Sequence, residues 1–186
     1  MRTLVSIICL CFLSGLLSAW LPVFQPDYRT EIYELSEHSA VGYCERGILK
    51  LNRCEFEDAI EDFDLSLRLN PHHARAFNNR GLAREGLRDF QGALKDFTRA
   101  IELKYVTASY NRAELRSKLR DRKGAIEDLT ECLSHKYLLL QSHACRGWER
   151  ECSGDIVGAE SDFKDALRYR PADSLEYRNL GWILAH

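Results

Sequence analysis

The chain has 186 residues, of which 45% are hydrophobic, and its 26 basic and 28 acidic side chains give a net charge of −2. This slightly acidic balance provides no general attraction for phosphate groups, and the aromatic residues are not interleaved with a basic stripe as single-strand binders require. The composition therefore disfavours nucleic acid as a partner.

Residues 1–24 are predicted to be a signal peptide or a transmembrane anchor. The stretch from Leu4 to Phe24 contains no charged side chain and is dominated by Leu, Ile, Val, Phe, Cys and Trp. At about 1.5 Å per helical residue it can cross the roughly 30 Å hydrocarbon core of a bilayer. Arg2 supplies the positive flank that both kinds of segment carry. We therefore expect a hydrophobic helix here, outside the rest of the fold.

The sequence leaves cleavage and orientation of this segment open. A cleavage site after Ala19 would place Leu17 where a small residue is preferred, which favours an uncleaved anchor over a cleaved signal. Arg2 and Arg29 flank the segment almost evenly, so the positive-inside rule does not choose a side. The expected localisation is a single-pass membrane protein or an exported one, with the side of the membrane undetermined.

A short unit recurs along the rest of the chain, after a linker and polar lead at 25–39. The phrase Ala-Ile-Glu-Asp-Phe at 59–63 returns in related form at spacings of 34, 32 and 34 residues, at 93–97, 125–129 and 159–163. A small residue lies twelve positions before each of these four segments, and a fifth such residue follows 34 positions after the fourth. These residues are Gly47, Gly81, Ala113, Gly147 and Gly181. A fixed period of this length indicates a stack of repeated supersecondary units.

The spacing of apolar residues predicts two helices in each unit. Around Gly81 and again around Phe97, apolar and small residues recur every three or four positions, which places them on one face of a helix. Gly86, followed by Arg88 and Asp89, marks the break between the two helices. A single helix pair cannot bury such a face alone, so neighbouring units are expected to stack.

The recurring positions resemble the tetratricopeptide repeat, whose pattern has an aromatic, then Leu-Gly, then Ala-x3-Phe, then Ala and Pro. In the second unit these positions hold Phe77, Gly81, Ala93, Phe97 and Ala100. The third unit departs most from the pattern, and the departures are Ala113 for Gly, Leu129 for Phe and Cys132 for the small residue.

The resemblance implies an all-α fold, a tetratricopeptide superhelix of four helix-turn-helix repeats plus a C-terminal helix, preceded by the N-terminal hydrophobic helix. The four units span 40–173, and their predicted bounds are 40–73, 74–105, 106–139 and 140–173. Residues 174–186 begin a fifth unit that contains Gly181 and ends after about one helix, so they form a truncated repeat or a capping helix.

An Arg and an Asp recur together in every full unit, at unit positions seven and twenty-three. They are predicted to form structural ion pairs between the two helices of a unit or between neighbouring units: Arg46 with Asp62, Arg80 with Asp96, Arg112 with Asp128, and Arg146 with Asp162. The alternative is that both charges are solvated and recur through common repeat ancestry, since exposed pairs contribute only about 0.2 to 1 kcal/mol.

The resemblance also implies that the first helix of each unit lines a concave groove. The candidate groove residues are Asn78, Asn79, Tyr110, Asn111, Glu114, Trp148 and Arg178. Asn can donate to and accept from an extended backbone, while Tyr and Trp offer a large contact area, so this mixture suits a peptide or a helix of another protein. The alternative is that Tyr110 and Trp148 pack against neighbouring units.

The best-known site of the family, a Lys, Asn and Arg clamp for the acidic C-terminus of chaperones, is not expected here. Aligned from unit one, the chain matches the clamp only at Asn79, and aligned from unit two it matches only at Asn111. With one match in either alignment, the chain is not expected to bind chaperones through this clamp.

The sequence offers no catalytic residue, no metal site and no cofactor. It contains no phosphate loop, no dinucleotide-binding glycine motif and no zincin motif, and no small-molecule substrate is predicted. The nearest metal constellation, Cys132 and His135 with His143 and Cys145, involves positions that the repeat uses for packing. Five of the seven cysteines lie outside the apolar segment, and this odd number predicts no disulfide framework, although their redox state is undetermined.

Two functions fit these observations. The first is a membrane-anchored or exported scaffold that mediates protein–protein interaction through its groove, without catalysis. The alternative is an accessory or regulatory subunit of a membrane or secretion complex that docks through the C-terminal helix. That helix, with Trp182, is apolar where terminal repeats normally carry a polar cap. The identity of the partner and the oligomeric state are not encoded in any recognisable motif.

Overall fold

The computed structural model of the protein describes residues 38–169, which contain eight α-helices. The helices form four helix-turn-helix units, each with a first helix and a second helix: α1 Ala40–Asn52 and α2 Phe56–Leu69; α3 Ala74–Gly86 and α4 Phe90–Glu102; α5 Thr107–Lys118 and α6 Arg122–Ser134; α7 Leu139–Ser153 and α8 Ile156–Arg168.

The units stack in chain order, since each second helix packs on the first helix of the next unit and first helices also contact one another, α1 with α3 and α3 with α5. The predicted four-unit helical array is confirmed. The predicted hydrophobic helix at 1–24 and the C-terminal helix at 174–186 lie outside the described residues. Between 38 and 169, none of the helices combines the length and the apolar character needed to cross a bilayer.

An aspartate N-cap starts the second helix of units two, three and four. Asp89 accepts a hydrogen bond from the amide of Gly92 at 2.9 Å, and this arrangement recurs at 3.1 and 3.0 Å for Asp121 with Gly124 and for Asp155 with Gly158. A Cβ atom at Gly92 would lie 2.0 Å from the Asp89 carboxylate, so the glycine makes room for the cap. In unit one, Glu55 makes no such bond, since its longer side chain is a poor N-cap.

The small residue at unit position eight allows the two helices of a unit to lie close together. A Cβ atom at Gly81 would lie 2.7 Å from the ring of Phe97, which is fully buried, and the same distance recurs between Gly47 and Phe63 and between Gly147 and Phe163. Unit three has Ala113 instead, and its partner is the smaller Leu129. The glycine and the phenylalanine therefore change together, because the space between the helices is fixed.

A buried aspartate on each second helix binds the arginine at unit position seven of the first helix. The distance from the arginine Nε atom to the carboxylate is 3.0 Å in unit three and 2.9 Å in the other units. The pairs are Arg46 with Asp62, Arg80 with Asp96, Arg112 with Asp128, and Arg146 with Asp162. All four aspartates are at most 3% exposed as residues. The arginines therefore tie the two helices of each unit together.

A second base reaches the same carboxylate in every unit, which the sequence reasoning missed. It lies at unit position eleven, one helical turn after the arginine, at 2.8 to 2.9 Å from the aspartate: Lys50, Arg84, Arg116 and Arg150. A basic residue occurs at this position in all four units, and that regularity could have predicted the contact. Two cations around one buried carboxylate provide the partners that make burial of the charge tolerable.

The position-seven arginines also join each unit to the preceding one. Arg112 donates to the hydroxyl of Thr98 at 2.9 Å, and Arg146 donates to that of Thr130 at 3.0 Å. In unit two, Arg80 forms an ion pair with Asp64 at 2.5 Å. Each of these arginines therefore connects three helices, its own, its partner in the unit, and the second helix of the unit before.

Candidate protein-binding groove

The first helices α1, α3, α5 and α7 lie side by side, and their outward surface is here called the A-helix face. This is the face on which the predicted groove residues of 38–169 lie, while Arg178 lies outside the described residues. Many of these side chains are bonded to the neighbouring unit. The A-helix face is therefore partly a set of contacts that hold the array together and partly a surface available to a partner.

Two of the candidate residues bond to each other. Asn78, on α3, is 3% exposed, and its side-chain oxygen accepts a hydrogen bond from the amide of Asn111, on α5, at 2.7 Å. Asn79 donates to the backbone oxygen of Arg75 at 2.8 Å within its own helix. The geometry joins units two and three through the Asn78–Asn111 pair, and this leaves Asn79 as the more accessible amide.

Tyr110 and Glu114 lie on α5, where unit three meets unit four. The hydroxyl of Tyr110 is 3.7 Å from the sulfur of Cys145, on α7, and the tyrosine is half-buried. Burial, reinforced by Cys145 and Glu114, raises the pKa of the Tyr110 phenol. Partial desolvation also raises the pKa of the Glu114 carboxyl, although Glu114 is exposed as a residue. Tyr110 is therefore a neutral group that contributes to both packing and the surface.

Trp148 is the large aromatic side chain that the A-helix face presents to solvent. It lies on α7 and is 37% exposed. Its neighbours include Ser117 and Lys118 at the end of α5, with which it lines a cavity of about 350 Å³. An exposed Trp beside a cavity is typical of an interface anchor, because the ring buries much apolar area at a small entropic cost.

Ion pairs connect successive first helices along the same face. Arg75 pairs with Glu45 between units two and one, and Lys118 pairs with Glu85 at 2.8 Å between units three and two. The hydrogen bond from Lys118 to Glu85 is the main reason that the pKa of the lysine is raised. Lys118 is therefore charged at neutral pH, and the pair presents a polar rim along this face.

The cysteines of the described residues are free thiols, and burial governs the chemistry of three of them. It raises the pKa of Cys44 to about 11 and that of Cys132 to about 12, and it also raises the pKa of Cys145. Such thiols are protonated at neutral pH and are poor nucleophiles. Within 38–169, no cluster of three or more His, Cys, Asp or Glu side chains is arranged to hold a metal.

The fold and this face define an α-helical repeat protein of the kind that binds other proteins. The tetratricopeptide repeat family model matches residues 46–109. This match lies within the repeats, and it confirms the resemblance that the recurring Gly, Ala and Phe positions predicted. A search of curated proteins found no significant match.

Solved structures with a similar fold are tetratricopeptide proteins of low sequence identity. MamA is 23% identical with a TM-score of 0.66, and the match covers 75% of this chain and 82% of MamA. YrrB, described as a TPR protein with an unusual peptide-binding site, is 20% identical with a TM-score of 0.64, and the match covers 84% and 81%. A repeat protein from Parabacteroides merdae is 23% identical with a TM-score of 0.65, over 83% of this chain and 59% of that one. These likenesses support the helical-repeat fold.

Proposed function

We propose that the protein is a non-catalytic scaffold that holds a protein partner on the A-helix face, centred on units three and four. One observation carries this proposal: Trp148 is 37% exposed and lines a cavity of about 350 Å³, whereas Asn78 and Asn111 are bonded to each other. The part of the face that is free to accept a partner is thus its unit-four end.

An extended peptide is the form of partner that the surface suits. The cavity is a local depression that would accept a side chain or a chain end, and Trp148 beside it offers a flat apolar contact. YrrB, which has a similar fold, is described as having a peptide-binding site. That likeness supports a peptide as the class of ligand. Which peptide sequence binds would depend on the residues of this chain's A-helix face.

We further propose that residues 1–24 attach the scaffold to a membrane or direct its export. The support is the sequence itself, since no charged side chain interrupts Leu4 to Phe24. Sequencing the mature N-terminus of the protein, together with protease protection of intact membranes, tests this. A chain that begins at Met1 and sediments with membranes supports the anchor, and one that begins near Trp20 and is released supports export. An intact chain that is neither sedimented nor exported overturns the proposal.

Partner capture by the full-length chain tests the scaffold itself. Chemical cross-linking in cells followed by quantitative mass spectrometry should identify partners that are lost on Trp148→Ala and Tyr110→Phe. Val157→Ala is the matched control, because Val157 is 83% exposed on a second helix, away from the A-helix face. Partners that persist with Trp148→Ala and vanish with Trp182→Ser would instead support docking through the C-terminal helix.

A further inference from the structure

The junction between units three and four is chemically different from the two junctions before it. The second helix of a unit starts with Phe56 in unit one and with Phe90 in unit two, and each ring belongs to an apolar cluster with a residue of the next first helix, Ala83 or Leu115. In unit three the corresponding residue is Arg122, and the residue of the next helix is Glu149. A charged pair therefore replaces an apolar pair at one junction of an otherwise regular stack.

In this charged pair Glu149 is buried, Arg122 is half-buried, and the hydrogen bonding is incomplete. Glu149 is 4% exposed, and it accepts a hydrogen bond from the hydroxyl of Ser117. The Nε atom of Arg122 lies 3.9 Å from the Glu149 carboxylate, and it is buried without a hydrogen-bond partner in the structure. A buried donor without a partner is costly, at about 1 to 3 kcal/mol, so a ligand acceptor that reached it would be stabilised.

The cavity beside this pair is rich in cations. We call it the junction pocket, and it is lined by Ser117, Lys118, Arg120, Arg122, Trp148, Glu149 and Cys152. Its lining has three basic side chains and one acidic one. Lys118 is paired with Glu85 and Arg122 with Glu149, whereas Arg120 forms no ion pair within the described residues. Its volume of about 350 Å³ is that of a small ligand pocket and is sufficient for one side chain of a partner.

We infer that the junction pocket binds a carboxylate of the partner peptide, from an Asp or Glu side chain or from the chain end. Arg120 and Arg122 supply charge-assisted donors for the carboxylate oxygens, and Trp148 contacts the adjoining apolar part of the peptide. The buried carboxylate of Glu149 lowers the net positive charge of the pocket, which favours a monoanion over a phosphate dianion. This inference rests on the proposed function and names the ligand chemistry of the same face.

The geometry differs from that of the family's chaperone clamp. That clamp uses bases in the first halves of first helices, and this chain has lost it. The junction pocket draws its cations from the end of α5, from the turn after it and from the start of α6, at Lys118, Arg120 and Arg122. The pocket is therefore particular to the third unit, because units one, two and four start their second helices with an apolar residue.

Binding of matched peptides to the full-length chain tests the inference. The probes are decapeptide mixtures labelled with an uncharged fluorophore, whose random flanks contain no Asp or Glu. They are prepared with a central Glu, phosphoserine or Gln, and with a free or an amidated C-terminus. Fluorescence anisotropy should show about tenfold tighter binding for mixtures that carry a carboxylate, since charge-assisted hydrogen bonds contribute more than one factor of ten. Comparison of the two carboxylate-bearing arms identifies the side chain or the chain end as the source.

Variants of the chain give the test a matched control. Arg120→Ala should weaken binding of the acidic mixtures about tenfold, whereas Arg88→Ala, at the same turn position of unit two, should not change it. The double variant Arg122→Phe with Glu149→Leu recreates the apolar Phe90 and Leu115 pair, so it should fold and should lose the preference for carboxylates. Retention of that preference by the double variant, or an equal loss with Arg88→Ala, would overturn the inference.

The outcomes also separate this inference from the scaffold function. Tighter binding of phosphopeptide mixtures than of Glu mixtures would show that the pocket selects phosphate, and equal binding of all mixtures would show that it selects no anion; either result overturns the carboxylate assignment. In both cases, partner capture that still depends on Trp148 would leave the scaffold function standing. Partner capture that is independent of Trp148 would remove the scaffold proposal as well.

Discussion

The junction between units two and three and the junction between units three and four have the same helical framework and opposite chemistry. At the first, Phe90 and Leu115 belong to one apolar cluster, with Leu115 fully buried. At the second, Arg122 and Glu149 occupy the same repeat positions. The difference teaches that the array tolerates a polar junction because its framework is fixed elsewhere, by the close glycine contact and the aspartate network of each unit.

The largest expected effect comes from breaking the charged junction on one side. Arg122→Phe leaves the buried Glu149 carboxylate with only Ser117 as a partner, and a buried charge that loses its ionic partner costs about 2 to 3 kcal/mol. The double variant with Glu149→Leu should recover this loss or exceed the wild-type stability. Urea unfolding of the full-length chain measures both. A double variant no more stable than Arg122→Phe would show that the two junctions are not equivalent.

The stability contributed by the aspartate network should be sensitive to acid, whereas that of the apolar junctions should not. Although burial opposes ionisation of Asp162, hydrogen bonds from Arg146 and His143 outweigh it and hold the pKa of the carboxyl below its ordinary value. A lowered pKa in the folded state means that this stabilisation is complete above about pH 4, the ordinary value of Asp, and is lost as the pH falls through the folded-state pKa.

Asp162→Asn therefore removes about 2 kcal/mol at pH 7, where the paired charges are lost, and progressively less as the pH falls through the folded-state pKa of Asp162. Urea midpoints measured from pH 2 to pH 7 give the two curves, which should converge in acid. The substitution Asp155→Asn, at the exposed N-cap of the same helix, is the control, because Asn also caps helices well. If the curve for Asp162→Asn runs parallel to that of the wild type over the whole pH range, the role assigned to the network is contradicted.

Gly81 and Ala113 offer a smaller test of the fixed framework. Gly81→Ala introduces a Cβ atom 2.7 Å from the Phe97 ring, and the overpacking outweighs the better helix propensity of Ala by about 1 kcal/mol. Adding Phe97→Leu should relieve the clash, although loss of the ring itself costs some packing. Thermal unfolding should show that Gly81→Ala destabilises the Phe97→Leu background less than the wild type. Equal destabilisation in both would mean that Ala113 and Leu129 are not a compensating pair.

The turn between the helices of a unit gives the smallest expected effect. Arg88 has a φ angle of 62°, whereas Gly154 occupies the same turn position of unit four with a φ angle of 90°. Arg88→Gly should stabilise the chain by about 0.5 kcal/mol, since glycine adopts this conformation without steric cost but gains entropy in the unfolded chain. Gly154→Ala should lose about 1 kcal/mol for the opposite reason. If Arg88→Gly lowers the midpoint of thermal unfolding and Gly154→Ala raises it, turn strain is excluded as the cause.

Residues that recur at a constant phase made the fold predictable from the sequence. The small residue and Phe at positions eight and twenty-four, as in Gly81 and Phe97, indicated two close helices, and the Arg and Asp of each unit indicated their pairing. Lys50 and its equivalents at position eleven had the same constant phase and could have been recognised. The period also shows which residues share a helix face, since this depends on local backbone geometry alone.

The contacts between units were not predictable in the same way. Which side chains meet across a junction depends on the rotation of one unit relative to the next, and a repeat of 34 residues does not specify that rotation. The bond between Asn78 and Asn111 is such a contact. Arg122 was missed because only first-helix positions were compared with the family's groove, whereas this residue starts a second helix. Its signal was the loss of the aromatic residue found at Phe56 and Phe90.

Hydrogen exchange of the full-length chain, with and without the carboxylate-bearing peptide mixture, tests the central claim most directly. Added peptide should slow exchange at 117–122 and 148–152, and the Arg122→Phe, Glu149→Leu double variant should abolish this protection. The equivalent segment 85–90 at the preceding junction should change less than 117–122 and 148–152. Protection confined to the second helices, or to 85–90, would contradict a partner site at the junction of units three and four.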